Sequence, residues 1–428
     1  MCIRDSTFTY ILEDQDGAQS EPATVTLEIL FEDDGDGIPP DRDVCAFDFD
    51  PFQRDSDGDG IGDVCDGSPG TPPLLDFPDS QLPATSGTST SVAADDLNGD
   101  GFVDLVVGKV ALGGRDTIEV FLNDGTGAFV QSPASGQLGT ETAVDVALAD
   151  FDQDSDIDLV AVHEDGTARV YLNDGNGVFT DPEPRIFFNA PTDGQTGTAV
   201  DVGDINEDGY PDLVVTRVNP PGVTEEGNSV FLNGAAPAGI DPFFIATGTV
   251  GRDGQDVQIV DIDGVGGPEI HIVGIDEIYF WFFMDGVLSD ETRDNDLGAS
   301  AVLAADLLAD DGLPELVWSD NSTETTMIRL NTGIGFFVPS PFTIGSGAFE
   351  SLAAGNVNGD DRLDIVAVEA DGQAWQAFLN DGLGRFDPDV RSPIDPGTQD
   401  LVFVDVNNDT VLDVVTVGAN DDYVYLLG

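Results

Sequence analysis

Asp96, Asn98, Asp100 and Asp104 stand at positions 1, 3, 5 and 9 of one short stretch, Asp96-Leu-Asn-Gly-Asp-Gly-Phe-Val-Asp104, with Gly101 at position 6. Alternate oxygen-bearing side chains at this spacing suit a hard cation. Calcium takes six to eight oxygen ligands, and a loop that offers every second side chain can wrap around it. Glycine at position 6 permits the positive φ that a sharp turn about an ion requires.

The stretch is then rewritten along the chain. Asp150, Asp152, Asp154 and Asp158 form a second copy, and Asp204, Asn206, Asp208 and Asp212 a third. Asn356, Asn358, Asp360 and Asp364 form another, as do Asp405, Asn407, Asp409 and Asp413. Two copies are worn. Asp261 and Asp263 are followed by Val265 where a third ligand belongs, and that copy ends on Glu269. Asp306 is followed by Leu308, and its copy reaches Glu315 one residue late. Seven loops thus begin at 96, 150, 204, 261, 306, 356 and 405, a period that signals a repeat architecture.

Each loop must be held by its flanks. The first runs into Leu105-Val-Val107, an apolar, β-rich run that reads as a strand. An EF-hand would enter a helix and place Glu at position 12, where this chain has Val107. A second motif follows most loops: Val120-Phe-Leu-Asn-Asp-Gly-Thr-Gly-Ala-Phe129, then its equivalents ending at Phe179 and Phe386. Asn-Asp-Gly between apolar strands reads as a hairpin turn. The first unit is therefore expected to hold strands at 90–95, 104–110, 117–122 and 128–131. Seven four-stranded units of this kind predict an all-β, seven-bladed propeller. Leu74-Leu-Asp-Phe77 is expected to supply the last unit's fourth strand and close the ring, with a truncated C-terminus as the competing reading of the short last unit.

Upstream, residues 1–6 read as a non-native leader. Residues 7–30 alternate as a hairpin that resembles the end of a cadherin-like or immunoglobulin-like repeat. Residues 31–69 are acidic, and nearly core-free in their two Asp-Gly stretches, 32–37 and 55–60. They hold Asp34 and Asp36, then Asp55, Asp57, Asp59 and Asp63 at the same ligand spacing, beside Cys45 and Cys65. Hydrophobic burial alone cannot fold such a segment, which needs ions or a cross-link. It resembles a thrombospondin type 3 repeat, departing from it at Pro40. That resemblance implies a Cys45–Cys65 disulfide and an oxidising compartment; two free thiols or a zinc pair are the other readings.

Asp and Glu total 83 against 14 Lys and Arg, a formal charge of −69. Such a polyanion argues against nucleic acid or an anionic membrane as partner. No apolar run is long enough to insert in a bilayer.

The paired motifs, D-x-[DN]-x-D-G-x-x-D followed by F-L-N-D-G-x-G-x-F, resemble the FG-GAP/VCBS repeat over residues 70–428. The resemblance implies a propeller with Ca2+ in its hairpin loops, secreted or at a cell surface as part of a longer chain. It further implies adhesion to an extracellular protein or glycan. The alternative is a substrate-binding propeller attached to a secreted polysaccharide- or ester-degrading enzyme. Catalysis within this chain is not expected: His163 and His271 are isolated strand residues, and no G-x-S-x-G or H-E-x-x-H motif occurs. Trp281 and Tyr279, in a run of aromatics beside a worn loop, are a candidate ligand patch, with inter-blade packing the competing reading.

Overall fold

A computed structural model describes residues 6–10, 23–27, 79–83, 87–111, 117–132, 138–139, 141–180, 194–222, 227–234, 244–250, 253–262, 264, 266–274, 278–284, 287–294, 299–308, 312–321, 323–331, 337–357, 362–370, 375–380, 386–392, 397–419 and 422–426. The chain forms two compact units, Met1–Asp76 and Phe77–Gly428. In the first, Ser6–Tyr10 pairs antiparallel with Ala23–Leu27. The metal and cysteine positions expected between 31 and 69 lie outside the described residues.

In the second unit every regular element among the described residues is a β-strand, arranged as seven four-stranded antiparallel sheets. Sheet 1 runs Ser89–Asp95, Asp104–Lys109, Ile118–Asn123 and Phe129–Gln131, within a residue or so of the boundaries read from sequence. Sheets 2 to 6 start at Ala143–Ala149, Thr196–Gly203, Gly254–Val260, Ala299–Ala305 and Phe349–Gly355. Sheet 7 starts at Thr398–Val404. These first strands contact one another in chain order, and that of sheet 7 returns to that of sheet 1.

The second strands explain the packing. Asp104–Lys109, Asp158–His163 and Asp413–Gly418 are buried along their whole length. Near-continuous apolar runs of this kind are needed where both faces of a sheet are covered. Alternate residues serve alternate neighbours. Leu105, Val107 and Phe121 of sheet 1 pack with Val404, Val415 and Val424 of sheet 7, while Val106 and Val120 pack with Leu159 and Tyr171 of sheet 2. Each such fully buried aliphatic contributes about 1.5–3 kcal/mol.

Sheet 7 is completed by Asp79–Gln81, with Asp79 opposite Tyr425 and Gln81 opposite Tyr423. The strand expected at 74–77 is thus found two residues beyond that stretch, and 74–77 itself lies outside the described residues. Every first strand also carries a register shift near its start, as between Ser89 and Ser91. The bulge turns short polar side chains toward the next sheet. Thr90 Oγ1 donates to the Ala143 carbonyl, Thr198 Oγ1 to Gly254 (2.7 Å) and Ser300 Oγ to Phe349 (2.8 Å).

Carboxylates also stitch seams between first strands. Asp145 accepts from Val200 N at 2.8 Å, Asp201 from Ile259 N at 2.6 Å, Asp256 from Val302 N at 2.9 Å and Asp400 from Val92 N at 3.0 Å. Burial pushes Asp145 up to about 6 and Asp201 and Asp256 to about 7, and raises Asp400. Their protonated forms are therefore favoured in the folded state. The stability they supply is complete below the ordinary carboxylate pKa and is lost as pH rises through the folded values. Buried His163 and His271 oppose this, since burial lowers both and their stability is lost as pH falls. The carboxylates outnumber the histidines. In EDTA the melting temperature is therefore expected to rise from pH 7.5 to pH 5.5; a fall over that interval would contradict this assignment.

Candidate metal loops

Each acidic loop joins the first strand of a sheet to the second, and its backbone is shaped by its own side chains. In sheet 1, Asp96 Oδ1 accepts from Gly99 N (2.8 Å) and Asp100 N (3.2 Å), Asn98 Oδ1 accepts from Asp100 N (2.9 Å), and Asp96 Oδ2 accepts from Gly101 N (2.8 Å). Positions 1 and 3 thus point their oxygens at the same amide. The pattern recurs with Asp150 and Asp152 on Asp154 N, Asp204 and Asn206 on Asp208 N, and Asp405 and Asn407 on Asp409 N. Position 6 is left-handed throughout these four loops: Gly101 has φ 87°, Gly209 88°, Ser155 78° and Thr410 74°. Ser155 and Thr410 accept a conformation that disfavours a Cβ, so the loop geometry outweighs local preference.

In sheet 2, Asp150, Asp152 and Asp158 each offer one carboxylate oxygen, all within 4.8 Å of one another. Two oxygens bound to one calcium lie at most about 5 Å apart, twice the usual bond length. These three therefore fit a single ion of that size, and an all-oxygen donor set matches a hard cation. Bound there, calcium would supply charge neutralisation and a fixed centre for the turn.

Position 9 has a further task. Asp104 accepts from Leu97 N (3.1 Å) and Asn123 N (2.7 Å), tying the loop to the end of the third strand. Asp158 does this with Phe151 N and Asn173 N, Asp212 with Ile205 N and Asn233 N, and Asp364 with Val357 N and Asn380 N. Asp413 accepts from Val406 N at 3.0 Å. Burial pushes Asp104 up to about 6 and Asp158 and Asp212 to about 7, against the lowering effect of these amides. Neighbouring loop carboxylates add to the rise in all three. A cation among them would reverse that balance.

The worn loops keep part of this plan. Glu269 accepts from Ile262 N (2.8 Å), and Gly264 N donates to Asp261 Oδ1 (2.7 Å). Glu315 accepts from Leu307 N (2.9 Å), its longer side chain serving a loop that has one extra residue. Asp263, Asn358 and Asp360 lie outside the described residues. Asn356, at the start of its loop, is described and partly buried.

The asparagine of the turn motif, read from sequence as part of a hairpin turn, does more than turn the chain. Asn123 Nδ2 donates to Val103 O of its own loop (3.0 Å) and to Val406 O of sheet 7 (2.7 Å). Asn173 reaches Leu97 O (2.7 Å), Asn233 Phe151 O (2.8 Å), Asn331 Ile262 O (2.7 Å) and Asn380 Leu307 O (2.5 Å), each in the preceding sheet's loop. The signal for this in the sequence was Asn recurring at one site, where Asp-Gly alone would turn the chain. The second glycine of G-x-G also faces that neighbour: a Cβ on Gly177 would lie 2.7 Å from the Leu122 side chain.

Trp281 is half-buried and packs against the core shared by sheets 3 and 4, and Trp318 and Trp375 are buried. Tyr279 lies in the third strand of sheet 4, Ile278–Met284. His163 and His271 are both buried in second strands.

Three stretches match the FG-GAP-like repeat: residues 96–161, 150–215 and 356–416. Each begins on an acidic loop. The chain carries FG-GAP-like repeats. No curated protein sequence matches it. Among solved structures, it resembles the crystal structure of BBS1N in complex with ARL6DN, soaked with lead, at TM-score 0.52 and 15% identity, covering 83% of this chain and 97% of that one. The mercury-soaked crystal of the same complex gives TM-score 0.50 and 14% identity, covering 82% and 96%. At such identities the likeness concerns the fold, which is propeller-like in these neighbours.

Proposed function

We propose that residues 77–428 form a closed, seven-bladed propeller that is loaded with calcium and serves as a recognition module for an extracellular protein or glycan. The observation that carries this reading is the recurring loop in which positions 1 and 3 face one amide, together with the sheet 2 loop, where the carboxylates of positions 1, 3 and 9 converge on one ion-sized point. The cyclic contact of the seven first strands supports the ring. A protein-binding role is favoured by the fold, since the similar BBS1N structure is that of a complex with ARL6DN. Extracellular placement accords with the charge of −69 and with loops that need an abundant divalent cation.

On this reading the 31–69 segment is a calcium-bound, Cys45–Cys65-stapled spacer, and the chain binds without catalysing. Probing protein and glycan arrays with the full chain, in millimolar calcium and then in EDTA, tests it. Binding lost in EDTA and regained with calcium is expected. Binding indifferent to EDTA would contradict it.

A further inference from the structure

The loops are joined to one another by a repeated hydrogen-bonded relay. In sheet 1 the residue at loop position 2, Leu97, gives its N–H to Asp104 and its carbonyl accepts from Asn173 of sheet 2. Asn173 in turn gives its backbone N–H to Asp158, position 9 of the next loop. Phe151 repeats the step, donating to Asp158 and accepting from Asn233, whose N–H reaches Asp212. Upstream, Val406 donates to Asp413 and accepts from Asn123, whose N–H reaches Asp104. Sheets 7, 1, 2 and 3 are therefore threaded on one path through their position-9 carboxylates.

The path stops at sheet 4. Trp281 pairs with Ile270 as Phe121 pairs with Leu105, so Phe283 stands where Asn123 stands, and phenylalanine has no side-chain amide to donate. A second path begins there. Ile262 donates to Glu269 and accepts from Asn331, whose N–H reaches Glu315. Leu307 donates to Glu315 and accepts from Asn380, whose N–H reaches Asp364. Beyond Tyr425 of sheet 7 the sequence places Leu427 at the asparagine site, a residue outside the described ones that likewise has no amide.

We infer that the turn-motif asparagines are positioning residues that couple cation binding in neighbouring loops, so that loops 7, 1, 2 and 3 bind as one cooperative group, uncoupled from the separate path 4-5-6, whose full ligand set survives only in loop 6. The inference rests on the calcium reading above. An ion that orders one loop fixes the position-2 carbonyl. That carbonyl fixes the asparagine, and the asparagine's own amide sets the position-9 carboxylate of the next loop. Binding at one loop then lowers the ordering cost at the next, which is how two sites come to share a coupling free energy.

Loop 3 carries its own reporter, because Tyr210 is at its position 7 and can sensitise Tb3+ luminescence. The probe is Tb3+ titrated into the full chain, and the loop-3 signal is the part lost in Tyr210→Phe. Asp152→Ala, which strips a ligand from loop 2, is expected to raise the loop-3 half-saturation point at least about five-fold, the low end of site-site coupling. In an Asn233→Leu background the same change is expected to have no further effect. Asn356→Ala, which weakens loop 6 on the other path, is expected to leave the loop-3 midpoint where it was. Should Asn233→Leu fail to fold, the contrast between Asp152→Ala and Asn356→Ala decides alone. A saturable Tyr210-dependent signal whose midpoint ignores Asp152→Ala would overturn the coupling and leave the calcium reading standing. No Tyr210-dependent signal in the unaltered chain would remove both.

Discussion

Asp158→Ala is expected to lower the unfolding free energy by about 3 kcal/mol or more and to abolish ion binding in its loop. Two buried backbone amides, Phe151 N at 3.0 Å and Asn173 N at 2.8 Å, lose their acceptor. Each orphaned buried donor costs about 1–3 kcal/mol. Asp158→Asn separates the two roles of the side chain. Its single carbonyl oxygen can accept from only one of the two amides, because Phe151 N uses Asp158 Oδ2 and Asn173 N uses Oδ1, and the new Nδ2 meets the other donor. Asparagine should therefore cost about 1–3 kcal/mol in EDTA, less than alanine, and in addition much of the calcium-dependent gain. Urea unfolding with and without calcium measures both. An Asp158→Asn chain that gains as much from calcium as the unaltered one would show that position 9 is not a ligand.

The second large effect lies at the far end of the equivalent strand of sheet 1, Asp104–Lys109. Lys109 Nζ donates to Glu119 Oε2 at 2.9 Å, with the two side chains only 1% and 8% exposed. Removing one member of a buried pair leaves an uncompensated charge in a medium of low polarity, which costs about 3–5 kcal/mol. Lys109→Ala is expected to fall in that range and Lys109→Met/Glu119→Leu to recover most of it, since removing both charges removes the desolvation cost. The midpoints of denaturant unfolding for the pair of variants check this. A double variant no more stable than Lys109→Ala would mean that the lost stability comes from side-chain packing and not from the stranded Glu119.

Much of this architecture was legible because each repeat writes the same register. The Asp spacing placed the loops, and the runs after Asp104, Asp158, Asp212 and Asp364 placed the buried second strands. Residues whose meaning depends on a neighbour fifty or more positions away were not legible. Asp145 reads as one more acidic residue until Val200 N lies beside it. Asn123 reads as a turn residue, because its partner Val406 is 283 positions away in the chain. Lys109 and Glu119 are a separate case, only ten positions apart, yet nothing local announces that the two will be buried together. The strand that pairs with Tyr423–Tyr425 was hidden for a related reason. Phe77 matches the phenylalanine that opens other fourth strands, yet the pairing with Tyr423–Tyr425 is made by Asp79–Gln81, which has no apolar pattern to announce it.

Thermal unfolding of the full chain in calcium, then in excess EDTA, then after calcium is restored, tests the central claim most directly. Ions that cancel carboxylate repulsion and bind the folded loops stabilise by mass action. The account predicts a large fall in melting temperature in EDTA and full recovery on readdition. A melt unchanged by EDTA would make the acidic loops plain surface, and the calcium-loaded recognition module would have to be abandoned.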